Sequence, residues 1–455
     1  MTTETTAPTP KPRLSVWLDH RGRPHPLKNA KRFLRILGPG LITGAADDDP
    51  SGIGTYSQAG AAFGASQLWL ALYMLPLIIA VQEMCGRIGL VSGKGIAAIV
   101  RERYNRPILY GAVTLLFVAN TINIGADLGA MAASVALIIP GLPVFLTTVL
   151  FSVIILLLEV FIPYASYSRV LKVLSLSLLT YVISGIIINP DWGSLLKSTF
   201  IPTISFSPVF LALIIGILGT TISPYLFFWQ ASEEVEESAK FPVNAADDAP
   251  RQRQLLKHRI SLLRIDTIFG MIASITTFWF IVMATSSTLH AAGITNITSA
   301  DQAAKALEPL VRSFPNAGVL TKLLFSLGVI GTGLLAVPVL AGSSAYGIAE
   351  SIGWNEGLSL PLRHARGFYG VIAISTIVGL LLNLLGINPI AALVYSAIIN
   401  GIIAVPLLVL ILLVANNKNV MGEHRNSLLS NIIVIITTVA MGIAALFTIV
   451  SLFPH

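Results

Sequence analysis

The stretch Gly44-Ala45-Ala46-Asp47-Asp48-Asp49-Pro50-Ser51-Gly52 places three consecutive carboxylates, a proline and two glycines inside an apolar segment. Residues 33–46 before the carboxylates are largely apolar, and residues 53–63 after them are apolar and small. A charged side chain at bilayer depth costs several kcal/mol and normally marks an ion or substrate site. Proline and glycine also free backbone carbonyls, which lipid cannot satisfy. The stretch therefore predicts a broken membrane helix with a cation site at the break.

The composition of the whole chain is that of a membrane protein. Of the 455 residues, 54% are hydrophobic and 11% are charged, and apolar runs of membrane-spanning length recur. Residues 1–30 carry no apolar core, which predicts a disordered cytoplasmic tail without a cleavable signal. The single cysteine, Cys85, excludes an intramolecular disulfide.

The pattern of apolar runs predicts an all-α integral membrane protein with eleven transmembrane helices. A short amphipathic segment around Gly95 to Tyr104 joins the second span to the third. The predicted spans lie near residues 33–63 (broken), 67–90, 107–138, 145–164, 168–188, 208–238 (broken), 264–289, 319–346, 367–387, 388–414 and 427–453.

The basic residues predict the orientation of these spans. With a cytoplasmic N-terminus, only four of the 29 basic residues fall in outer segments: Lys197, Lys305, Arg312 and Lys322. Cytoplasmic loops of membrane proteins carry such an excess of Lys and Arg. We therefore expect a multi-pass protein of the plasma membrane with its N-terminus in the cytoplasm. The net charge of +7 reflects topology and does not indicate nucleic-acid binding.

A second break falls in the sixth span, at Gly219-Thr220-Thr221-Ile222-Ser223-Pro224-Tyr225. Matched breaks five spans apart are typical of an inverted repeat of five plus five helices, as in LeuT-type transporters. In that fold the two broken helices face each other at the membrane midplane and hold the substrate. The sequence predicts one transmembrane domain over 31–455, with repeats at about 31–190 and 205–414 and an extra helix at about 427–453.

Asp49 is the first candidate ligand at these breaks. It directly precedes Pro50, which disfavours helical backbone at Asp49 and turns its side chain and neighbouring carbonyls inward. The alternative is that Asp49 caps the following half-helix. Asp47 and Asp48 point about 100° apart on a helix, so we expect one of them to line a pathway or to cap. Ser223 offers a hydroxyl at the second break.

Further polar residues lie on the predicted spans. The run Ser232–Glu237 is either a solvated helix end or an acidic vestibule for cations, in which Glu233 and Glu234 would line the pathway. Asp127 lies mid-span and is either a pathway residue or a partner for another helix. Glu83 and Arg87 have the spacing of an ion pair on one helix.

The types of residue at the breaks indicate the kind of ion. All seven histidines lie in tails, loops or span ends, and neither break carries a thiol or thioether. The ligands are therefore hard oxygens, which suit Mg²⁺, Ca²⁺ or Mn²⁺ better than Cu²⁺ or Zn²⁺. Nothing resembles a nucleophile–base pair or an HExxH motif, so we expect neither an enzyme nor a cofactor.

The two broken segments resemble those of the Nramp divalent-metal transporters. That family carries Asp-Pro-Gly-Asn in the first span and Met-Pro-His in the sixth, on an eleven-span fold of the LeuT type. This chain has Asp49-Pro50-Ser51-Gly52 and Ser223-Pro224-Tyr225. The family's asparagine is thus replaced by Gly52, its methionine by Ser223 and its first histidine by Tyr225.

Other positions extend the resemblance and its departures. A second family histidine corresponds to Gln230, Asp127 matches a family aspartate, and Ala130 replaces a glutamate of the proton pathway. This pattern is similar to the Nramp-related magnesium transporters. The resemblance implies that backbone carbonyls of Ala46 and Thr220 complete a metal site with Asp49, Gly52 and Ser223. Together with the polar residues described above, it leads us to expect a pathway that includes the following residues: Asp47, Asp48, Asp127, Tyr225, Gln230, Glu233 and Glu234.

We therefore expect a monomer in the lipid bilayer that transports divalent metal ions by alternating access, Mg²⁺ first and Mn²⁺ also, with weak or no proton coupling. One alternative is a proton-coupled Mn²⁺ or Fe²⁺ importer of the Nramp type. Another is a permease for amino-acid-like organic substrates, whose carboxylates the Asp47-Asp48-Asp49 cluster would repel. A receptor that transports nothing also stays open.

Overall fold

The computed structural model describes residues 38–162, 179–188, 190–239 and 249–451, and its secondary structure there is helical. The predicted tail 1–30 and residues 168–178 of the predicted fifth span lie outside the described residues. The principal helices are α1 (Pro39–Asp47), α2 (Pro50–Phe63), α3 (Trp69–Ser92), α4 (Ile96–Arg103), α5 (Arg106–Ile138), α6 (Val144–Phe161), α7 (Leu179–Ile187), α8 (Trp192–Phe200), α9 (Pro208–Thr221), α10 (Pro224–Ala239), α11 (Ala249–Thr285), α12 (Ala317–Ile352), α13 (Arg366–Leu382), α14 (Pro389–Asn416) and α15 (Leu428–Ser451). Short helical turns lie at Gly64–Gln67, Ser286–His290, Ala300–Ala304, Lys305–Leu307, Glu308–Val311, Asn383–Leu385, Lys418–Met421 and Gly422–His424.

The helices match the predicted spans closely. Nine helical segments of the described chain are long and apolar enough to cross a membrane, with α9 and α10 taken together as one. The α1–α2 pair and the partly described α7 correspond to the first and fifth predicted spans. The predicted start of the seventh span at residue 264 is too late for the helix, because α11 begins at Ala249. Its first turns are polar, and hydropathy marks where a helix enters lipid and not where it begins.

The packing of the helices has the form expected of an inverted repeat. The third and eighth spans, α5 and α12, occupy equivalent positions in the two repeats and pack against each other. The second span packs on the second half of the sixth, as α3 on α10. The equivalent contact of the other repeat is also present, as α11 on α2. The chain is therefore an all-α membrane protein whose two broken spans lie among the helices of the opposite repeat.

Proline begins the second half of each broken span. Pro50 is the first residue of α2 and Pro224 is the first residue of α10. A proline is tolerated there because the first N–H groups of a helix have no partner within it. Asp48 and Asp49 separate α1 from α2, and Ile222 and Ser223 separate α9 from α10. The two interruptions predicted from the sequence are both confirmed.

Glu83 links two helices through ion pairs. Its predicted pair with Arg87 is confirmed at 3.1 Å. Glu83 also pairs with Arg264 of α11 at 2.9 Å. Arg87 in turn donates to the His424 carbonyl at 2.5 Å and to Asn426 Oδ1. The pair therefore joins α3 to α11 and to the segment before α15.

The half-helix α1 packs unusually closely on α11. A Cβ atom on Gly44 would overlap the backbone of Gly270. Two backbone N–H groups at the start of α1 donate to the Asp266 carboxylate, that of Gly40 at 2.7 Å and that of Leu41 at 3.2 Å. Because the first N–H groups of a helix lack internal partners and carry positive dipole charge, Asp266 stabilises this end of α1.

We expect Gly44→Ala to destabilise the protein by about 1–3 kcal/mol, since the added methyl must push α1 away from α11. Gly370→Ala is the matched control, because a Cβ atom there meets nothing within 4 Å. In a helix that exchange should be neutral or stabilising by about 0.5–1 kcal/mol. Thermal unfolding of the detergent-solubilised variants checks this, and equal melting temperatures would contradict the close contact.

Candidate metal site at the two helix breaks

The carboxylate of Asp49 lies at the centre of the region between the two breaks and is fully buried. Its Oδ1 atom accepts hydrogen bonds from Ser51 Oγ at 2.7 Å, the Gly52 N–H at 2.6 Å and Thr220 Oγ1 at 3.3 Å. Its Oδ2 atom accepts from Asn123 Nδ2 at 2.8 Å. Asp49 has extended backbone and caps α2 through the Gly52 N–H. It therefore caps a helix and joins both breaks to α5.

Several buried oxygen atoms at the second break and on α5 beside Asp49 have no hydrogen-bond partner among the described residues. They are Asn123 Oδ1, both carboxylate oxygens of Asp127 and Ser223 Oγ. Asn123 contacts Asp49 directly, Asp127 lies one turn further along α5, and Ser223 lies in the second break. Buried polar groups are almost always satisfied, so such a group of acceptors indicates a place for a ligand that supplies donors or positive charge.

The negative charge of this region is not balanced by basic side chains. Within the described parts of the chain, no ion pair involves Asp47, Asp48, Asp49 or Asp127. All four carboxylates are buried. Buried charges in proteins are normally paired or coordinate metals. The region is therefore suited to a cation.

Asp47 and Asp48 face a different helix from Asp49. Ser274 Oγ of α11 donates to Asp47 Oδ2 and lies 3.4 Å from Asp48 Oδ1. Over the described residues, no three His, Cys, Asp or Glu side chains converge on a position that could hold a metal. A metal near Asp49 therefore needs hydroxyl, amide, carbonyl or water oxygens in addition to a carboxylate.

The other residues of the implied site lie around Asp49 in different roles. The Ala46 carbonyl accepts a hydrogen bond from Tyr225 Oη at 2.8 Å. Thr220 contacts Asp49 through its side chain. The Gly52 N–H donates to the Asp49 carboxylate. Gly52 also lies close to the second break, because a Cβ atom added to it would be 3.3 Å from Thr220 Oγ1. The structure thus brings Ala46, Asp49, Gly52 and Thr220 together at the breaks.

A chain of polar side chains runs from α1 along α10. Thr43 Oγ1 donates to Gln230 Oε1 at 2.5 Å, and Gln230 Nε2 donates to Glu234 Oε1 at 3.1 Å. Glu233 and Glu234 are each only 7% exposed. The interpretation of this run as a solvated helix end is therefore wrong for both residues. Burial arises because α10 packs against α3 and α12.

Glu236 of the same run binds the segment after α12. Its carboxylate accepts from the N–H groups of Leu358 at 2.8 Å and Ser359 at 3.2 Å, and from Tyr346 Oη. Nearby, burial together with the carboxylates of Glu350 and Glu236 raises the pKa of Glu356 to about 9. The acidic run therefore contributes partly to loop structure.

A small pocket lies on the α2 side of the first break. Its lining is mostly apolar and includes Pro50, Ser57, Ala130, Ser134, Ile297 and Leu393. Ala130 presents a methyl group where the resembled family carries a glutamate. The wall of this pocket therefore carries no ionisable group at that position.

The sequence interpretation missed Asn123, Ser51 and Ser274 as partners of the carboxylates. Asn123 had a detectable signal, because it precedes Asp127 by one helical turn and is polar inside a span. Ser51 lies within the quoted motif, where a short hydroxyl two residues after Asp49 can reach its carboxylate. Ser274 had no such signal, since its contact with Asp47 depends on how α11 packs on α1.

Comparison with known proteins identifies relatives over nearly the whole chain. The family model described as "Natural resistance-associated macrophage protein-like" (Nramp) matches residues 40–451. A divalent metal cation transporter MntH of Caldanaerobacter subterraneus is 25% identical over 416 residues, which are 88% of this chain and 89% of that protein. The MntH of Deinococcus radiodurans is 26% identical over 402 residues, which are 87% of this chain and 85% of that protein.

Solved structures share the fold. A manganese transporter of Eremococcus coleocola, crystallised with an aromatic bis-isothiourea compound, has a TM-score of 0.71 at 17% identity and covers 96% of this chain and 90% of its own. The nucleobase-cation-symport-1 transporter Mhp1 in a closed conformation has a TM-score of 0.57 at 14% identity, with 92% and 93% covered. MhsT in complex with L-phenylalanine has a TM-score of 0.53 at 15% identity, with 91% and 98% covered.

We expect Asp49→Asn to abolish binding of Mg²⁺ and Mn²⁺ while the protein stays folded. Asparagine is as good a helix cap as aspartate, so the substitution keeps the bond to Gly52 and removes the charge. Isothermal titration calorimetry in detergent measures the affinities. Asp301→Asn is the control, because Asp301 lies at the surface in an ion pair with Lys322. Unchanged affinity in Asp49→Asn would refute this placement of the site.

Proposed function

The chain belongs to the Nramp family, and on that premise we propose that it transports divalent metal ions across a membrane, with Mg²⁺ as its main substrate and Mn²⁺ as a second. The observation that carries the proposal is the group of buried, unbalanced carboxylates and unpartnered oxygens at the two helix breaks. A divalent cation supplies the charge that these groups lack. The metal is the substrate, and no cofactor or enzymatic reaction is involved.

The chemistry of the breaks supports Mg²⁺ over softer metals. The groups that contact Asp49 are two hydroxyls, a side-chain amide and a backbone N–H, and Ser223 stands where a thioether would favour transition metals. Mg²⁺ binds hard oxygens, dehydrates reluctantly and usually keeps several waters. Mn²⁺ accepts the same ligand types. The names of the MntH relatives support divalent metal transport as such.

We propose that Asp49 and Ser223 bind the ion directly and that the remaining residues of the site, Ala46, Gly52 and Thr220, surround it at the two breaks. Asp49 provides the charge and Ser223 an unpartnered oxygen. The pathway on either side is assigned to residues that are polar and lie along the broken helices: Asp47, Asp48, Asp127, Tyr225, Gln230, Glu233 and Glu234. Alternating access would expose these two sides of the site in turn.

The orientation and assembly follow from the same features. The distribution of basic residues supports a cytoplasmic N-terminus in the plasma membrane. Both breaks belong to one chain and meet at Asp49, so one copy holds the complete site and we propose that a monomer is functional. The alternative function is proton-coupled Mn²⁺ or Fe²⁺ import, which is equally a form of the divalent metal cation transport that the names of the MntH relatives state.

We expect Ser223→Met to move the preference from Mg²⁺ toward Mn²⁺ and Cd²⁺, because a thioether is a soft ligand. Uptake of each metal into proteoliposomes measures the preference, with Ser223→Ala as the control that removes the hydroxyl without adding sulfur. The wild-type protein should carry Mg²⁺ as well as Mn²⁺. Exclusion of Mg²⁺ by the wild type would overturn the proposal and favour the proton-coupled importer.

We also expect metal entry without coupled proton entry. The family's proton-handling positions hold Tyr225, Gln230 and Ala130, and glutamine and alanine do not titrate. Tyrosine has an ordinary pKa of about 10. A membrane potential that is negative inside favours inward movement of a divalent ion by about 4.6 kcal/mol per 100 mV. Uptake of the metal therefore needs no second ion. A pH dye enclosed in metal-free proteoliposomes, with Mn²⁺ or Mg²⁺ added outside, tests this, and acidification that tracks metal entry would contradict it.

A further inference from the structure

One hydrogen bond joins the two helix breaks directly through a phenol. Tyr225 Oη donates to the Ala46 carbonyl at 2.8 Å, and both residues are fully buried. Ala46 lies in the last turn of α1, where carbonyls have no partner within the helix. Tyr225 therefore engages one of the two lone pairs of the Ala46 carbonyl and makes this oxygen a weaker ligand for a cation at the break.

The phenol of Tyr225 is held in place from its own backbone. Tyr225 is the second residue of α10 and follows Pro224. The ring of Pro224 fixes the φ angle of Pro224 itself. The backbone carbonyl of Tyr225 accepts a hydrogen bond from Ser343 Oγ of α12 at 2.8 Å. Since the backbone of Tyr225 belongs to the first turn of α10 and is bound by Ser343 of α12, these two helices set the position from which its hydroxyl reaches Ala46.

The hydroxyl also adds an acceptor to the region. A phenol that donates one hydrogen bond keeps lone pairs on its oxygen. The unpartnered oxygens of Asn123, Asp127 and Ser223 are acceptors as well. Water molecules bound to a cation donate hydrogen bonds outward. The breaks therefore offer several acceptors for the water shell of an ion, while one direct backbone ligand is engaged by Tyr225.

We propose that Tyr225 is a specificity-determining residue, whose hydroxyl weakens the Ala46 carbonyl as a ligand for the ion and accepts a hydrogen bond from ion-bound water. This inference rests on the proposed transport of divalent metal through the site around Asp49. It favours Mg²⁺, which gives up water reluctantly. Removal of the hydroxyl frees the carbonyl and favours an ion that exchanges water for a direct ligand.

The first test compares affinities in Tyr225→Phe by isothermal titration calorimetry with Mg²⁺ alone and with Mn²⁺ alone. The Mg²⁺ affinity should fall while that for Mn²⁺ holds or rises, so that the Mn²⁺ to Mg²⁺ preference increases about fivefold to tenfold, the effect of one hydrogen bond. Tyr56→Phe is the matched control. Tyr56 is equally buried, and its hydroxyl meets the Thr221 hydroxyl at 3.0 Å and not a carbonyl. The Tyr56→Phe variant should keep the Mn²⁺ to Mg²⁺ preference of the wild type.

The second test counts the waters on bound Mn²⁺ by pulsed electron–nuclear double resonance in ¹⁷O-labelled water. A merely structural role for Tyr225 would leave this count unchanged. We expect the wild type to retain several waters and Tyr225→Phe to retain fewer. Unchanged preference and water count in a variant with wild-type melting temperature would overturn the proposal.

The wild-type measurement keeps the inference testable if Tyr225→Phe does not fold, because a wild-type count of one water or none would also overturn it. Failure of the proposed function gives a different result. A wild-type protein that carries no Mg²⁺ into proteoliposomes refutes Mg²⁺ transport, and the water count on Mn²⁺ still decides the role of Tyr225.

Discussion

The constraint on which this structure depends is the cost of holding negative charge and free backbone groups at membrane depth. Lipid satisfies neither, so both persist only where protein or a ligand supplies partners. The carboxylate of Asp49 meets this constraint because it accepts hydrogen bonds from Gly52 in α2, Thr220 in α9 and Asn123 in α5. The two broken spans must therefore face each other, since each supplies groups that the other lacks.

The positions of both breaks follow from the sequence, because proline and glycine act locally and the spans around them are long and apolar. The role of Asp49 as a cap was also a stated alternative, and the structure has it. The partners of the carboxylates could not be predicted in the same way. Asn123 and Ser274 approach from α5 and α11, which are distant in sequence, and their register depends on packing such as that of Gly44 on Gly270.

The same packing explains why the three consecutive aspartates differ. Asp47 ends α1 and meets Ser274 of α11, whereas Asp49 begins the cap of α2 and turns toward α5 and α9. A helix that stops and restarts within two residues cannot keep successive side chains on one face. One run of like charges thus serves two sides of the break, which a pattern of residue types alone does not reveal.

The proposed function also requires that the ion is released, and the hydrogen bonds of Asp49 bear on that requirement. A carboxylate surrounded only by potential metal ligands would be strongly destabilised whenever the ion leaves, because a buried charge without partners is costly. Ser51, Thr220 and Asn123 donate to Asp49 from within the protein. Under the proposed function, each of these donors would compete with the ion for a carboxylate oxygen, which would weaken binding and stabilise the ion-free stage of the cycle. An ion that keeps part of its water shell suits this competition, because it can bind through water without displacing every donor.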